Sequence, residues 1–363
     1  MTIRTGTVPA RPAGTGPVRA PHPAGRARPV DDLDLGALLR SATELLAAAG
    51  VESPRAEAEL LAAHVLGAPR GRVAAWAVAG RELTAVQAVD LRRLAISRST
   101  RTPLQYLTGS AAFRTVELSV GPGVFLPRPE TELVAGRAVE ALAAAGPGAL
   151  GVDLCTGSGA IAAALAEEVP GARLHAVEAD PEAARWAAAN LGPRGVELHV
   201  ADAATALAPL DGSVDVVVSN PPYVPDGRVP LQPEARRDPA MALYGGGADG
   251  LRMPAVVAAA AARLLRPGGV FVMEHDDTQA AAVAGLLERD GLFTAVRSHR
   301  DLNDRPRFTE AVRTDLPAPR PQGSVTGSVT GSVHDSAAGP GAGPAAAPGA
   351  GPAPDAVGGR MDP

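Results

Sequence analysis

A single cysteine, Cys155, stands in 363 residues. That excludes an internal disulfide and any metal cluster built on several thiolates. Aromatic residues supply only 3% of the chain. No uninterrupted apolar stretch is long enough to cross a bilayer, because charge or proline breaks every alanine-rich run. The first thirty residues carry Arg4, Arg11, Arg19, Arg26 and Arg28 and no acid before Asp31. They lack the apolar segment of a secretory signal, so a cytoplasmic protein is expected. The net charge of -5 argues against a protein that coats bulk nucleic acid, although it leaves room for a local basic groove.

What is present falls into blocks. Residues 1–33 and 315–363 are rich in Pro, Gly, Ala or Ser, and Gly-Ser-Val-Thr recurs at 323 and 327. Such segments cannot build a core and are expected to be disordered. Between them, Leu35, Leu38, Leu39, Leu45 and Leu46 recur at helical spacing. Ser53-Pro54 and Thr84 then read as helix starts. Residues 34–108 are therefore expected to form a small helical domain. Residues 109–126 should follow as a linking β-hairpin, with its turn at Gly121-Pro122-Gly123.

Residues 127–314 carry the alternation of an α/β domain. Residues 149–154 read as a strand, Cys155-Thr156-Gly157-Ser158-Gly159 as a glycine-rich turn, and residues 160–168 as a helix. A second strand ends at Glu178, 21 residues beyond Gly157. That is where a ribose-binding acid belongs in nucleotide-binding α/β domains. The glycines do not complete G-x-G-x-x-G, because residue 162 is alanine. An adenosine ligand without a diphosphate, namely S-adenosylmethionine, suits this variant better than a dinucleotide. Asp202, at the end of the next strand, is either an adenine contact or a helix cap.

The apolar run at residues 214–218 leads into Ser219-Asn220-Pro221-Pro222-Tyr223. Two prolines hold this turn extended and remove two backbone donors. The Asn220 side chain and neighbouring carbonyls are then free to grip a planar group bearing an NH2, either an amide or a nucleobase amine. Arg128, stiffened between Pro127 and Pro129, is a candidate partner for a carboxylate of ligand or protein. The long segment at residues 224–250 has the length of a lid. His275 beside Glu274 is too weak a signal to name a base.

Together these segments resemble the HemK/PrmC family of protein-(glutamine-N5) methyltransferases, which modify peptide chain release factors. The resemblance spans about residues 34–313. It rests on the helical domain, residues 126–132 (Leu-Pro-Arg-Pro-Glu-Thr-Glu), residues 153–159 and Asn220-Pro221-Pro222-Tyr223. It implies a Rossmann-like class I fold with a mostly parallel seven-stranded sheet. S-adenosylmethionine is the implied methyl donor, S-adenosylhomocysteine the product, and no metal is required.

By the same resemblance Asp153, Thr156, Gly157 and Gly159 border the methionine part of the donor. Glu178 takes the ribose, Asp202 the adenine, and Asn220 borders both donor and acceptor. Asn220, Pro221, Pro222 and Tyr223, with Arg128, face the acceptor glutamine. Glu178 stands where the family usually has aspartate, and Ala203 where relatives can carry an aromatic. The implied partner of a monomeric enzyme is a release factor, and a ribosomal protein is the alternative acceptor. A nucleic-acid methyltransferase would use the same grip on a flipped base. The ordered region offers that reading no basic stripe with interleaved aromatics. A non-catalytic donor-binding protein would not need the Asn220 turn.

Overall fold

The computed structural model describes residues 33–229 and 232–317. Most of the two expected disordered extensions therefore lies outside the described residues. Helix α1 (Leu35–Ala48) starts where Asp34 accepts a hydrogen bond from the Ala37 amide at 2.7 Å. It packs with α2 (Pro54–Leu66), α3 (Arg70–Val78) and α4 (Ala85–Ser99). Their shared core holds Leu35, Leu39, Leu61, Val73 and Leu91, all 1% exposed or less. Thr84 caps α4 reciprocally with Gln87, satisfying two otherwise unpaired amides. Ser53 makes no side-chain cap, so α2 relies on Pro54 in its first turn.

The linker begins with a short helix, α5 (Leu104–Thr108), and continues into a hairpin of β1 (Ser110–Phe113) and β2 (Val116–Ser119). The hairpin turns at Arg114-Thr115, not at Gly121-Pro122-Gly123 as the glycines suggested. Arg114 adopts a φ of 49° in that turn. Its guanidinium binds Glu168 and the Glu132 carbonyl, which holds the conformation in place. Gly121 and Gly123 serve packing instead. A Cβ on Gly121 would lie 2.5 Å from the Trp186 ring, and one on Gly123 2.7 Å from Glu182.

The second domain opens with α6 (Pro129–Ala145). There follow β3 (Leu150–Leu154), α7 (Ala160–Glu168), β4 (Arg173–Glu178), α8 (Pro181–Leu191), β5 (Glu197–Val200) and β6 (Val214–Ser219). After a long loop containing the short helix α9 (Ala240–Leu243) come α10 (Arg252–Leu264), β7 (Leu265–Glu274), α11 (Ala280–Glu288), β8 (Phe293–Arg300) and β9 (Pro306–Arg313). The seven-stranded sheet runs β5-β4-β3-β6-β7-β9-β8. Only the β9 pairings are antiparallel.

Alternate residues of the strands feed two cores. Val216, Val218 and Val272 meet α6, α7 and α8 on one face. Val217, Phe271 and Met273 meet α10 and α11 on the other. Each such side chain contributes about 1.5–3 kcal/mol on burial, which is why the strands read as nearly continuous apolar runs.

Strand order reverses between β3 and β6, opening a crevice beyond their carboxyl ends where α/β sheets bind ligands. Ser219 closes the floor of that crevice by donating to the Leu154 carbonyl at 2.6 Å. Residues 239–246 of the loop after β6 fold back over it. Val224 pairs with Tyr244, while Gly245 and Gly250 press against the Pro222 and Tyr223 carbonyls with no space for a side chain. Arg98 and Arg101 of the helical domain both pair with Glu234 at 2.8 Å, tying this loop to that domain.

Candidate active site

A cavity of about 500 Å³ occupies the crevice, within the range that holds nucleotide-sized ligands. Thr156, Gly157, Glu178, Asp202, Asn220, Pro221, Pro222 and Tyr223 line it. Asp153, Gly159 and Arg128 lie outside its lining.

One end is formed by Gly157 and Glu178. Gly157 has a φ of 58°, and a Cβ there would meet nothing within 4 Å, so its backbone fronts open space. Glu178 accepts from the Gly157 and Asp180 amides, each at 2.8 Å. These bonds aim the carboxylate and leave it lone pairs for vicinal hydroxyls. Burial raises its pKa, and the backbone donors oppose the rise.

Asp153 is 1% exposed. One of its oxygens accepts from the Thr156 hydroxyl and the Ala162 amide, while Oδ1 is buried without a partner. Burial pushes its carboxyl up to about 7. Asp153 therefore fixes the turn from below. Gly159 has a similar structural reason: a Cβ would come within 2.8 Å of Leu191. Asp202 borders the cavity and accepts from the Ala204 amide at 2.9 Å, closing a local turn; no helix starts there, so it is not a helix cap. Ala203 contributes only a methyl group to the same wall.

The other end centres on Asn220. Its Nδ2 donates to Thr131 Oγ1 at 3.2 Å. Thr131 donates in turn to Glu274 Oε2 at 2.7 Å, and the Tyr223 hydroxyl donates to Glu274 Oε1 at 3.0 Å. A hydroxyl has one proton. Because Thr131 gives it to Glu274, Thr131 can only accept from Asn220. With Glu274 ionised, this orients the asparagine amide: Nδ2 faces Thr131, and Oδ1 is left for the cavity.

Glu274, 1% exposed, anchors the chain of bonds. Burial raises its pKa to about 7, against the lowering effect of the two hydroxyl donors. Burial and the Glu274 charge also hold the Tyr223 phenol well above its usual value, so it stays protonated and donating. Gln279 Nε2 pins the Tyr223 carbonyl at 2.9 Å from the far side.

One sequence expectation changes. Arg128 does not reach the cavity, because it pairs with Asp238, which also accepts from Tyr106 and the Leu126 amide. Its carboxylate partner is thus the protein's own. Thr131 and Glu274 join the site although no sequence signal placed them together; they are 143 residues apart. His275 is fully buried, with Nε2 on Thr309 Oγ1 and Nδ1 on the Asp276 carbonyl, which gives it a packing place away from the cavity. Cys155 sits in the turn at a φ of 59°, with its thiol pushed far up by burial and neighbouring acids, so it is no nucleophile.

Comparison with known proteins agrees with this construction. Residues 37–109 match the PrmC N-terminal domain, and residues 135–232 match the methyltransferase small domain. The release factor glutamine methyltransferase of Streptomyces coelicolor is 48% identical over 76% of this chain and 96% of its own length. That of Mycolicibacterium smegmatis is also 48% identical, over 76% and 96% respectively. A 4-amino-L-phenylalanine/4-methylamino-L-phenylalanine methyltransferase of Streptomyces pristinaespiralis is 38% identical over 74% of this chain and 92% of its own. With both domain matches, near full-length coverage of its relatives and the Asn220 turn at the sheet's reversal point, the chain belongs to the release factor glutamine methyltransferase family.

Proposed function

We propose that this enzyme methylates the side-chain amide nitrogen of a glutamine in a peptide chain release factor, in the Gly-Gly-Gln motif that the family resemblance implies. The observation that carries the reading is the fixed orientation of Asn220, whose oxygen is left for the cavity by the Thr131–Glu274 chain. A primary carboxamide has two N–H donors and a delocalised lone pair that makes it a poor nucleophile. Asn220 Oδ1 and the Pro221 carbonyl accept those two hydrogens, turning the nitrogen toward the donor end of the cavity and raising its electron density. Tyr223 and Pro222 wall the amide plane. S-adenosylmethionine supplies an electrophilic methyl carbon on a sulfonium that leaves as a neutral thioether. Glu178 holds the ribose, Gly157 admits the methionine portion, and Asp202 and Ala203 border the adenine. Rate enhancement comes from alignment and from acceptors aimed at the nitrogen as it gains positive charge. The proton lost from that nitrogen is the only other product.

The loop that Glu234 ties to the helical domain lines the cavity with Pro239, Met241 and Tyr244, which supports a protein acceptor. On this reading the enzyme works in the cytoplasm as a monomer. Release factor, ribosomal protein, RNA and free 4-amino-L-phenylalanine should be compared as methyl acceptors, with mass spectrometry locating the added 14 Da of a methyl group (about one CH2 in mass). Modification of the release factor glutamine supports the proposal. Methylation of another acceptor in its place overturns it.

A further inference from the structure

Away from the cavity, one cluster of side chains has no part in the chemistry above. His175 lies on β4, and Glu197 and His199 lie on the edge strand β5. The parallel register places His175 opposite Glu197 and Val177 opposite His199. Because side chains alternate along a strand, all three project from the same face. His175 Nδ1 and His199 Nε2 are 3.1 Å apart, and the Glu197 carboxylate turns one oxygen toward each ring, at 3.5 and 3.4 Å.

We propose that His175, Glu197 and His199 form a binding site for a divalent transition metal of the zinc class, completed by water. Two imidazoles and a carboxylate are the donor set zinc takes when it keeps a position open. Ligands at about 2.05 Å from a tetrahedral ion lie about 3.3 Å apart, against about 2.9 Å for an octahedral arrangement. The three observed spacings bracket the tetrahedral value. The Glu197 side chain is 66% exposed and that of His199 28%, so the ion has an entry path and room for water. Arg173, on the same strand, has its Nε on the Gly148 carbonyl. Edge strand β5 pairs only with β4 among the described residues, and the ion would clamp the two together. Glu178 and Asp202 each follow a ligand by three residues, so the clamp sits directly behind the nucleoside end of the cavity.

The test is calorimetric titration of the full-length, tag-free chain with zinc chloride at neutral pH, alongside His199→Ala, Glu197→Gln and His175→Ala. The expected result is saturable binding of one ion, weakened about tenfold or more by each substitution. Zinc should also raise the melting temperature of the parent chain and not that of His199→Ala, a half-buried edge-strand position. No saturable binding, or binding unchanged in His199→Ala and Glu197→Gln, overturns the proposal.

Discussion

Replacing Thr131 by valine isolates the part of the site that the sequence concealed. The side chain keeps its shape and loses its hydroxyl, so Asn220 Nδ2 loses its acceptor and Glu274 Oε2 loses a donor. Leaving a buried polar group unsatisfied costs about 1–3 kcal/mol. The asparagine amide recovers part of that by rotating, which puts its nitrogen where the acceptor glutamine needs an oxygen. If the loss falls on the transition state, kcat drops by about 5- to 150-fold. Donor binding should change much less, because Glu178, the proposed ribose contact, lies at the other end of the cavity. Steady-state methyl transfer to a release factor measures this directly, with donor affinity followed by calorimetry. Thr131→Ser keeps the hydroxyl and should restore kcat to within about threefold. Wild-type kcat in Thr131→Val, or a Thr131→Ser variant as slow as it, would refute the relay.

Further outcomes follow from the same geometry. Burial raises the Glu274 pKa to about 7, so kcat should climb with pH through about 7 as the carboxylate ionises and becomes a pure acceptor; Glu274→Gln should flatten the profile. The sign for stability is opposite: a carboxyl raised above its unfolded value favours the fold below about 4.5, and that contribution is lost as pH rises through about 7. Urea titrations should show the parent losing more stability over that interval than Glu274→Gln. Glu178→Ala removes the acceptor of two backbone amides at the proposed ribose site and should weaken donor binding about tenfold or more by calorimetry, with unchanged affinity refuting its assignment. Glu234→Ala leaves Arg98, 5% exposed, with Glu57 as its one carboxylate partner beside the Thr102 carbonyl. Loss of one partner from such a group costs up to about 3–5 kcal/mol; denaturant midpoints and the KM for the protein acceptor should both register it, with less effect on donor affinity.

Much of the donor half was legible because its signals are local. A strand, two glycines, a helix and an acid at a fixed interval are consecutive in the chain, and the cavity gathers Gly157 and Glu178 as that order implies. Apolar strand runs were legible because each is buried on both faces. The acceptor half was legible only at Asn220-Pro221-Pro222-Tyr223. Its orienting partners come from the first turn of α6 and the end of β7, and nothing short-range links Thr131 to Glu274. Arg128 was misplaced for the same reason: its partner Asp238 arrives on a loop 110 residues away. The hairpin turn was missed because Arg114 takes a glycine-like conformation that tertiary bonds to Glu168 and Glu132 stabilise. The His175, Glu197 and His199 cluster became visible only with the register of β4 against β5.

Asn220 Oδ1 is assigned to hold the acceptor amide, with little effect on donor affinity. Single-turnover methyl transfer by Asn220→Ala, with S-adenosylmethionine binding measured on the same preparation, tests it most directly. The account predicts a fall in the transfer rate of about 100-fold or more, with the donor dissociation constant within about threefold of the parent. Transfer at the parental rate, or a loss explained entirely by weakened donor binding, would contradict it.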